Sequence, residues 1–292
     1  MPNLKEVRNR ITSVSSTQQI TSAMKMVSAA KLRRAQDAVT RLRPYSAKLR
    51  EILENLSSSL DAAEGGQFSV KRDPHKILII AITSNRGLCG GFNANIIKLA
   101  NRLMNEDFAA QHKNGQVKLL TIGKKGTDYF KKNEGLVLSS HNEVFDNLTF
   151  ETVAPVAQSI MDKFASAEFD KVVVLYNQFR NAAVQIPTNE DFLPVEPPKS
   201  LNSSKQVDYI FEPEKVSIIQ DLIPKSLKVQ LFKALLDSLA AEHGARMTAM
   251  HKATDNAKEL LKELKLSYNK ARQAAITNEI LEIVSGANAL KS

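Results

Sequence analysis

Apolar residues recur every three or four positions at both ends of the chain, and in short unbroken runs between them. Leu4, Val7, Ile11 and Val14 begin the pattern. It breaks at polar Thr17 and Gln18, resumes with Ile20, Met24 and Val27, and continues through Ala35, Ala38, Leu42, Tyr45 and Leu49. Near the other end, Met250, Ala253, Ala257, Leu260, Leu264, Tyr268, Ala271 and Ala275 keep the same steps. So narrow a stripe predicts a coiled-coil seam rather than the wide face of a globular helix. The break at Gln18 reads as a stutter where the supercoil should change. Pro44 should kink the first helix or end a segment of it.

Between the ends, KILIIAIT (76–83), VKLLTIG (117–123) and KVVVLYN (171–177) are continuous apolar runs. Helical patterns fall between them at 92–105 and 150–166. Runs of that length alternating with helices predict βαβ units around a buried parallel sheet. Pro187, Pro194, Pro197 and Pro198 mark a loop or edge region before the chain re-enters helix near Glu214. The expected fold class is α/β plus a long antiparallel α-helical coiled coil: N- and C-terminal helices form the stalk around a central Rossmann-like parallel-sheet domain. Expected bounds are 1–60 for the first long helix, 70–207 for the central domain and 208–292 for the second long helix. Residues 225–285 as one helix would span about 90 Å. A compact chain of this size is only about 50 Å across. The helix is therefore expected to protrude, paired with the N-terminal one.

Charge sharpens this. Of 292 residues, 40 are Lys or Arg and 31 Asp or Glu, a formal net of +9. Residues 1–50 hold 11 basic and 2 acidic side chains, and so carry the whole excess. The expected partner helix offers no acidic excess to match them, with 8 basic and 6 acidic side chains over 241–292, so an external acidic protein surface is the preferred explanation. No stretch has the 18 or so apolar residues of a membrane-spanning helix. The N-terminus lacks the apolar core of a secretory signal. Cys89 stands alone. These features predict a chain kept in a cytosol-like compartment without an internal disulfide.

Candidate chemistry is sparse. SNRGLCGGFN (84–93) and GKKG (123–126) place glycines after strands, where a phosphate could be cradled. Neither has the spacing of a dinucleotide fingerprint or a P-loop, so tight turns are the expectation. Cys89 near a helix start reads as a small turn residue rather than a nucleophile. The histidines, His75, His112, His141, His243 and His251, have no metal-type partner at helical spacing. No catalytic constellation, cofactor site or metal site is expected. The basic first helix raises the alternative of a nucleic-acid-binding coiled-coil protein, and the α/β centre that of a nucleotide-dependent enzyme. Against the first, no aromatic ring precedes Tyr45, so base stacking is unavailable there. Against the second stands the failed glycine spacing. The C-terminal stretch stays apolar through Ile276, Ile280, Leu281, Ile283, Val284 and Leu290, which predicts enclosure by other chains.

Four stretches together carry a resemblance: QQITSAMKMVSAAKLRRAQ (18–36), SNRGLCGGFN (84–93), ARMTAMHKATDNA (245–257) and YNKARQAAITNEILEIVSGANA (268–289). They resemble the gamma subunit of F-type ATP synthase, over nearly the whole chain. The resemblance implies a non-catalytic rotary shaft of a proton- or sodium-translocating complex. Its implied partners are the alpha and beta subunits of the catalytic ring, the epsilon subunit and the membrane c-subunit ring. Its implied place is the cytoplasmic face of the bacterial plasma membrane, as a peripheral protein with no direct transmembrane span and no nucleic acid. Residue by residue, it implies beta-subunit contacts at Met24, Arg272 and Gln273. It implies an apolar tip in the alpha/beta collar at Ile276, Ile280, Val284 and Leu290, and a foot toward the c ring at Tyr209, Phe211 and Glu212.

Overall fold

A computed structural model of the chain describes residues 4–57, 67–133, 135–195 and 215–289. Two long terminal helices, α1 (Leu4–Ser57) and α6 (Lys215–Ala289), flank a central sheet with its own helices. The chain divides into two compact units, Met1–Ser28 with Met247–Ser292, and Ala29–Arg246.

The larger unit is built on five strands: β1 (Ile77–Ile82), β2 (Val117–Ile122), β3 (Val137–Ser140), β4 (Lys171–Phe179) and β5 (Gln185–Leu193). Their order is β3-β2-β1-β4-β5, with the first four parallel and β5 antiparallel to β4. Every residue of β1 is buried, because helices cover both faces. Side chains alternate across the pleat. Leu78, Ile80 and Ile82 face Val153, Ala157, Ile160 and Phe164 of α5 (Phe150–Ala165), together with Leu227, Leu231 and Leu235 of α6. Ile77, Ile79 and Ala81 face Ile96, Ala100 and Leu103 of α2 (Phe92–Asn105). Two short helices, α3 (Ala109–Lys113) and α4 (Lys124–Phe130), complete the connections. Helix α5 opens with a capping box in which Thr149 and Thr152 satisfy each other's backbone amides.

The expected parallel α/β centre and its helices at 92–105 and 150–166 are present. β5 is an edge strand, and Pro187 lies inside it, where a missing N–H is tolerated. Two expectations for the long helices are corrected. Of the two outcomes expected at Pro44, an end of the helix is excluded, since Pro44 lies within α1 and the helix continues to Ser57. The stripe does not break at Gln18. Val7, Ile11, Val14, Gln18, Thr21, Lys25, Ser28, Leu32, Ala35, Val39, Leu42, Ser46 and Leu49 are all buried or half-buried, stepping by four and three without interruption. This is an unbroken heptad seam whose middle layers are polar. Ile20 and Val27, read from the sequence as seam residues, are 59% and 56% exposed. Apolar spacing alone does not trace the seam where it passes through hydroxyls. On α6 the seam runs through Met250, Thr254, Ala257, Leu261, Leu264, Tyr268 and Ala271, so Leu260 and Ala275 lie outside it.

Candidate functional site

In the smaller unit the two helices are antiparallel. The Arg8 guanidinium donates to the Tyr268 hydroxyl at 2.8 Å and stacks over that ring. The Thr254 hydroxyl donates to Thr21 at 2.9 Å, and Lys25 meets His251 at 3.3 Å. The Thr21–Thr254 pair is buried, and besides their mutual bond the two hydroxyls reach the Gln18 and Met250 carbonyls of their own helices at 3.0 and 2.7 Å, which removes the cost of burying them alone. Small side chains at these layers, with Ser28 and Ala257, allow close helix approach.

Continuing that register, Leu4 stands level with Ala271 and Arg272. The remainder of α6 therefore has no partner helix among the described residues. Here Arg272 and Gln273 are exposed, and the Gln273 carbonyl accepts a bond from the Thr277 hydroxyl at 2.9 Å. Beyond them, Ile276, Ile280, Leu281, Ile283 and Val284 are all about half exposed or more. That is a large apolar surface for a helix end, and surfaces of this kind mark interaction sites. Met24 is half-buried beside the polar layers, level with the His251 turn. Arg272 is about twenty residues further along α6, or about 30 Å. Met24 and the Arg272–Gln273 pair, grouped by expectation, thus stand far apart along the helix. Leu290, Tyr209, Phe211 and Glu212 lie outside the described residues.

The larger unit tests the glycine-rich turns. A phosphate cradle needs free backbone amides at the ends of the strands. Here the chain's own side chains take four of the amides in and beside those turns. Asn93 Oδ1 accepts from Ser84 N at 2.9 Å, Asn85 Oδ1 from Lys124 N at 3.0 Å, and Asn142 Oδ1 from Gly123 N at 3.1 Å. The hydroxyl of Thr83 accepts from Gly126 N at 2.9 Å. Gly123 has φ of +110°, and a Cβ there would stand 2.1 Å from the Thr83 carbonyl oxygen. The glycines serve close packing of one turn on another, as the spacing predicted. Cys89 is buried, and burial pushes its thiol pKa up, away from the reactive range. Among the described residues no three His, Cys, Asp or Glu side chains could jointly hold a metal.

Two polar features of this unit were missed in the sequence. The first is a buried ion pair on α6: Arg246 donates to Glu242 at 2.6 Å and to the carbonyls of Arg86 and Gly87 at 3.0 and 3.3 Å. Burial raises the Glu242 pKa, while Arg246 pulls it back down. Beside it, burial and the charges of Arg246 and Lys31 hold His243 down at about 4. The signal available was EHGAR (242–246), charged residues inside an otherwise apolar and small-residue run. The second is a cleft of about 740 Å³ lined by Arg43, Tyr176, Glu190, Gln230 and Lys233 among others. The Tyr176 hydroxyl donates to Glu190 at 2.8 Å, and Gln230 donates to the same carboxylate at 2.8 Å. Burial, then Glu190, raises the Tyr176 pKa. Nothing in the spacing of these residues along the chain announces their meeting.

No helix among the described residues is long and apolar enough to cross a membrane. Residues 3–290 match the family profile described as ATP synthase. The chain is 61% identical over 291 residues to the ATP synthase gamma chain of Flavobacterium johnsoniae, covering 99% of each chain. It is 52% identical to that of Cytophaga hutchinsonii over the full length of both. Among solved structures, it resembles a chain of the central stalk and c ring of the Tetrahymena thermophila mitochondrial ATP synthase. The TM-score there is 0.61 at 26% identity, covering 80% of this chain and 99% of that one. A chain of the Euglena gracilis mitochondrial ATP synthase, in an assembly of OSCP, F1 and c ring, aligns with a TM-score of 0.69 at 20% identity, covering 98% of this chain and 94% of that one.

Proposed function

Because the chain belongs to the ATP synthase gamma chain family, we propose that it is the rotary central-stalk subunit of an F-type ATP synthase, coupling ion flow through the membrane c ring to conformational change at nucleotide sites on the alpha/beta ring. The chain itself carries no catalytic site in this reading. The terminal helices, within 1–60 and 208–292, form the shaft, and residues 70–207 form the body that docks toward epsilon and the c ring. Tyr209, Phe211 and Glu212 belong to that foot. The complex stands on the cytoplasmic face of the membrane, and this chain is peripheral to it.

The observation that carries the reading is the bare end of α6. Its apolar side chains, exposed beyond the end of α1, support a reading in which a collar covers them in the assembled complex. The physical logic is differential contact. Three beta chains of one sequence differ only if something asymmetric touches them differently. Converting a site from 1:99 to 99:1 takes about 5.5 kcal/mol of contact difference. A few charge-assisted hydrogen bonds, at about 1.5–3 kcal/mol each, supply that. Met24, Arg272 and Gln273 are placed in the reading as such contacts, with the basic side chains of α1 facing acidic surfaces of the ring. Ile276, Ile280, Val284 and Leu290 form the tip within the collar.

Purification of the tagged chain from its host tests the proposal. Recovery of alpha, beta, epsilon and c subunits, with three copies each of alpha and beta per tagged chain, is expected in line with a single central shaft. Recovery of the chain alone, or with nucleic acid resistant to moderate salt, overturns it.

A further inference from the structure

Residues 240–246 of α6 are buried without exception, although four of the last five are charged, ionisable or glycine. Two loops at one end of the sheet explain this. The turn after β1 presents the carbonyls of Arg86 and Gly87 to the Arg246 guanidinium. The hairpin turn between β4 and β5 comes so close to Gly244 that an added Cβ would lie 3.2 Å from the Ala182 Cα and 3.4 Å from the Phe179 ring. Both turns are braced. Ser84 donates to the same Arg86 carbonyl at 2.7 Å. Asn181 Oδ1 accepts from the amides of Ala183 and Val184 at 2.9 and 2.8 Å.

Successive helical residues are about 100° apart around the axis. Gly244 and Arg246 therefore face directions about 200° apart, and the two turns meet α6 on nearly opposite sides. Packing of Leu231, Leu235, Ala240 and Ala241 holds the helix down and opposes its rotation sterically, without any directional bond. Directional bonds from a forked guanidinium, opposed by a backbone contact on the far side, resist it in both senses.

We propose that the Glu242–Arg246 turn is a rotational lock: Arg246 grips the Arg86–Gly87 turn while Gly244 seats the β4–β5 hairpin, so that α6 cannot twist about its own axis against the sheet. Glu242 holds the guanidinium in place, and these are positioning residues, not contacts with any partner subunit. The lock rests on the proposed role as a rotary shaft, in which this chain carries torque. α6 continues from this turn to Ala289, so twist applied to the sheet reaches the contact residues only if the helix is held.

Two variants separate grip from stability. Arg246→Lys keeps a buried positive charge beside Glu242 but cannot fork to the carboxylate and two carbonyls together. Glu242→Leu with Arg246→Met removes both charges and leaves neither uncompensated. In the isolated full-length chain, amide hydrogen exchange is expected to quicken in the 85–89 turn for both variants while β1 and β4 stay protected. Unchanged exchange in that turn overturns the grip. In the assembled complex with the alpha/beta ring immobilised, angular fluctuation of a probe on the central domain is expected to widen about twofold in variance, as for loss of two directional hydrogen bonds in one holding point. The unloaded ATPase rate should stay near that of the wild type. Wild-type variance in both variants overturns the lock. Failure of the wild-type chain to co-purify with the ring would instead sink the rotary reading, and the exchange result would still stand by itself.

Discussion

At the residue scale, the central unit is organised by close approaches and buried polar atoms. Gly123 is one. With φ of +110° and the Thr83 carbonyl 2.1 Å from where a Cβ would be, Gly123→Ala combines backbone strain with a clash. It is expected to cost about 3 kcal/mol, measured as a lowered midpoint in urea unfolding. His243 is another. Its ordinary value of 6.5 is depressed to about 4 in the fold, first by burial, then by Arg246 and Lys31. Between those two values the unfolded chain binds a proton that the folded chain refuses. Stability from this group is therefore complete above about pH 6.5 and lost as pH falls toward 4. His243→Gln should flatten the stability profile in that window, relative to the wild type, when unfolding is followed at successive pH values. Buried Glu242 and Asp237, whose pKa values burial raises, oppose the trend, so the comparison must be between variant and wild type. None of these roles can be read from residue type. EHGAR in the sequence shows charges in an apolar run, but the carbonyls that Arg246 grips lie about 160 residues away.

At the element scale, the helix pair shows where a pattern succeeds and where it misleads. Period and length announced two long helices, and both exist. The seam's course was misplaced by treating polarity as exposure. Thr21, Ser28 and Thr254 are more buried than Ile20, Val27 and Leu260, because a hydroxyl that bonds within the pair or to its own helix loses little on burial. Neighbouring leucines test the corrected seam. Leu261 is 9% exposed and Leu260 44%. Leu261→Ala is expected to cost about 2–3 kcal/mol. Leu260→Ala should stay within about 0.5 kcal/mol. Chemical denaturation of the isolated chain distinguishes them, and equal effects would return the seam to its sequence-based course. The sheet gives the opposite lesson. The runs at 76–83, 117–123 and 171–177 were legible because both faces of each strand are covered. β3 and β5 were not, being edge strands with mixed and partly exposed side chains.

At the scale of the whole molecule, the chain is a mechanical part, and its tests are done in company. Arg272→Ala with Gln273→Ala alters side chains that are exposed in the isolated chain. Melting of that chain should be unchanged. ATP hydrolysis coupled to ion pumping in the assembled complex should fall severalfold, and full coupled turnover in the double variant would remove the pair from the proposed contacts. The isolated chain should bind no nucleotide in equilibrium dialysis, since the glycine spacing of a phosphate loop is absent and Asn85, Asn93, Asn142 and Thr83 occupy four amides of the turns. Saturable binding would show that these side chains give way.

The sequence by itself determined the helix–α/β–helix order, the parallel centre, the local excess of positive charge, the apolar terminus and the family. Each is a matter of period, run length, charge count or motif, all properties of neighbours along one chain. Tertiary structure alone decided the polar course of the seam, the antiparallel β5, the side chains that close the phosphate turns and the grip of Arg246 on a distant loop. Those depend on which backbone atoms come within hydrogen-bond distance across long separations, and burial of a polar atom is tolerated only when its partner is already in place.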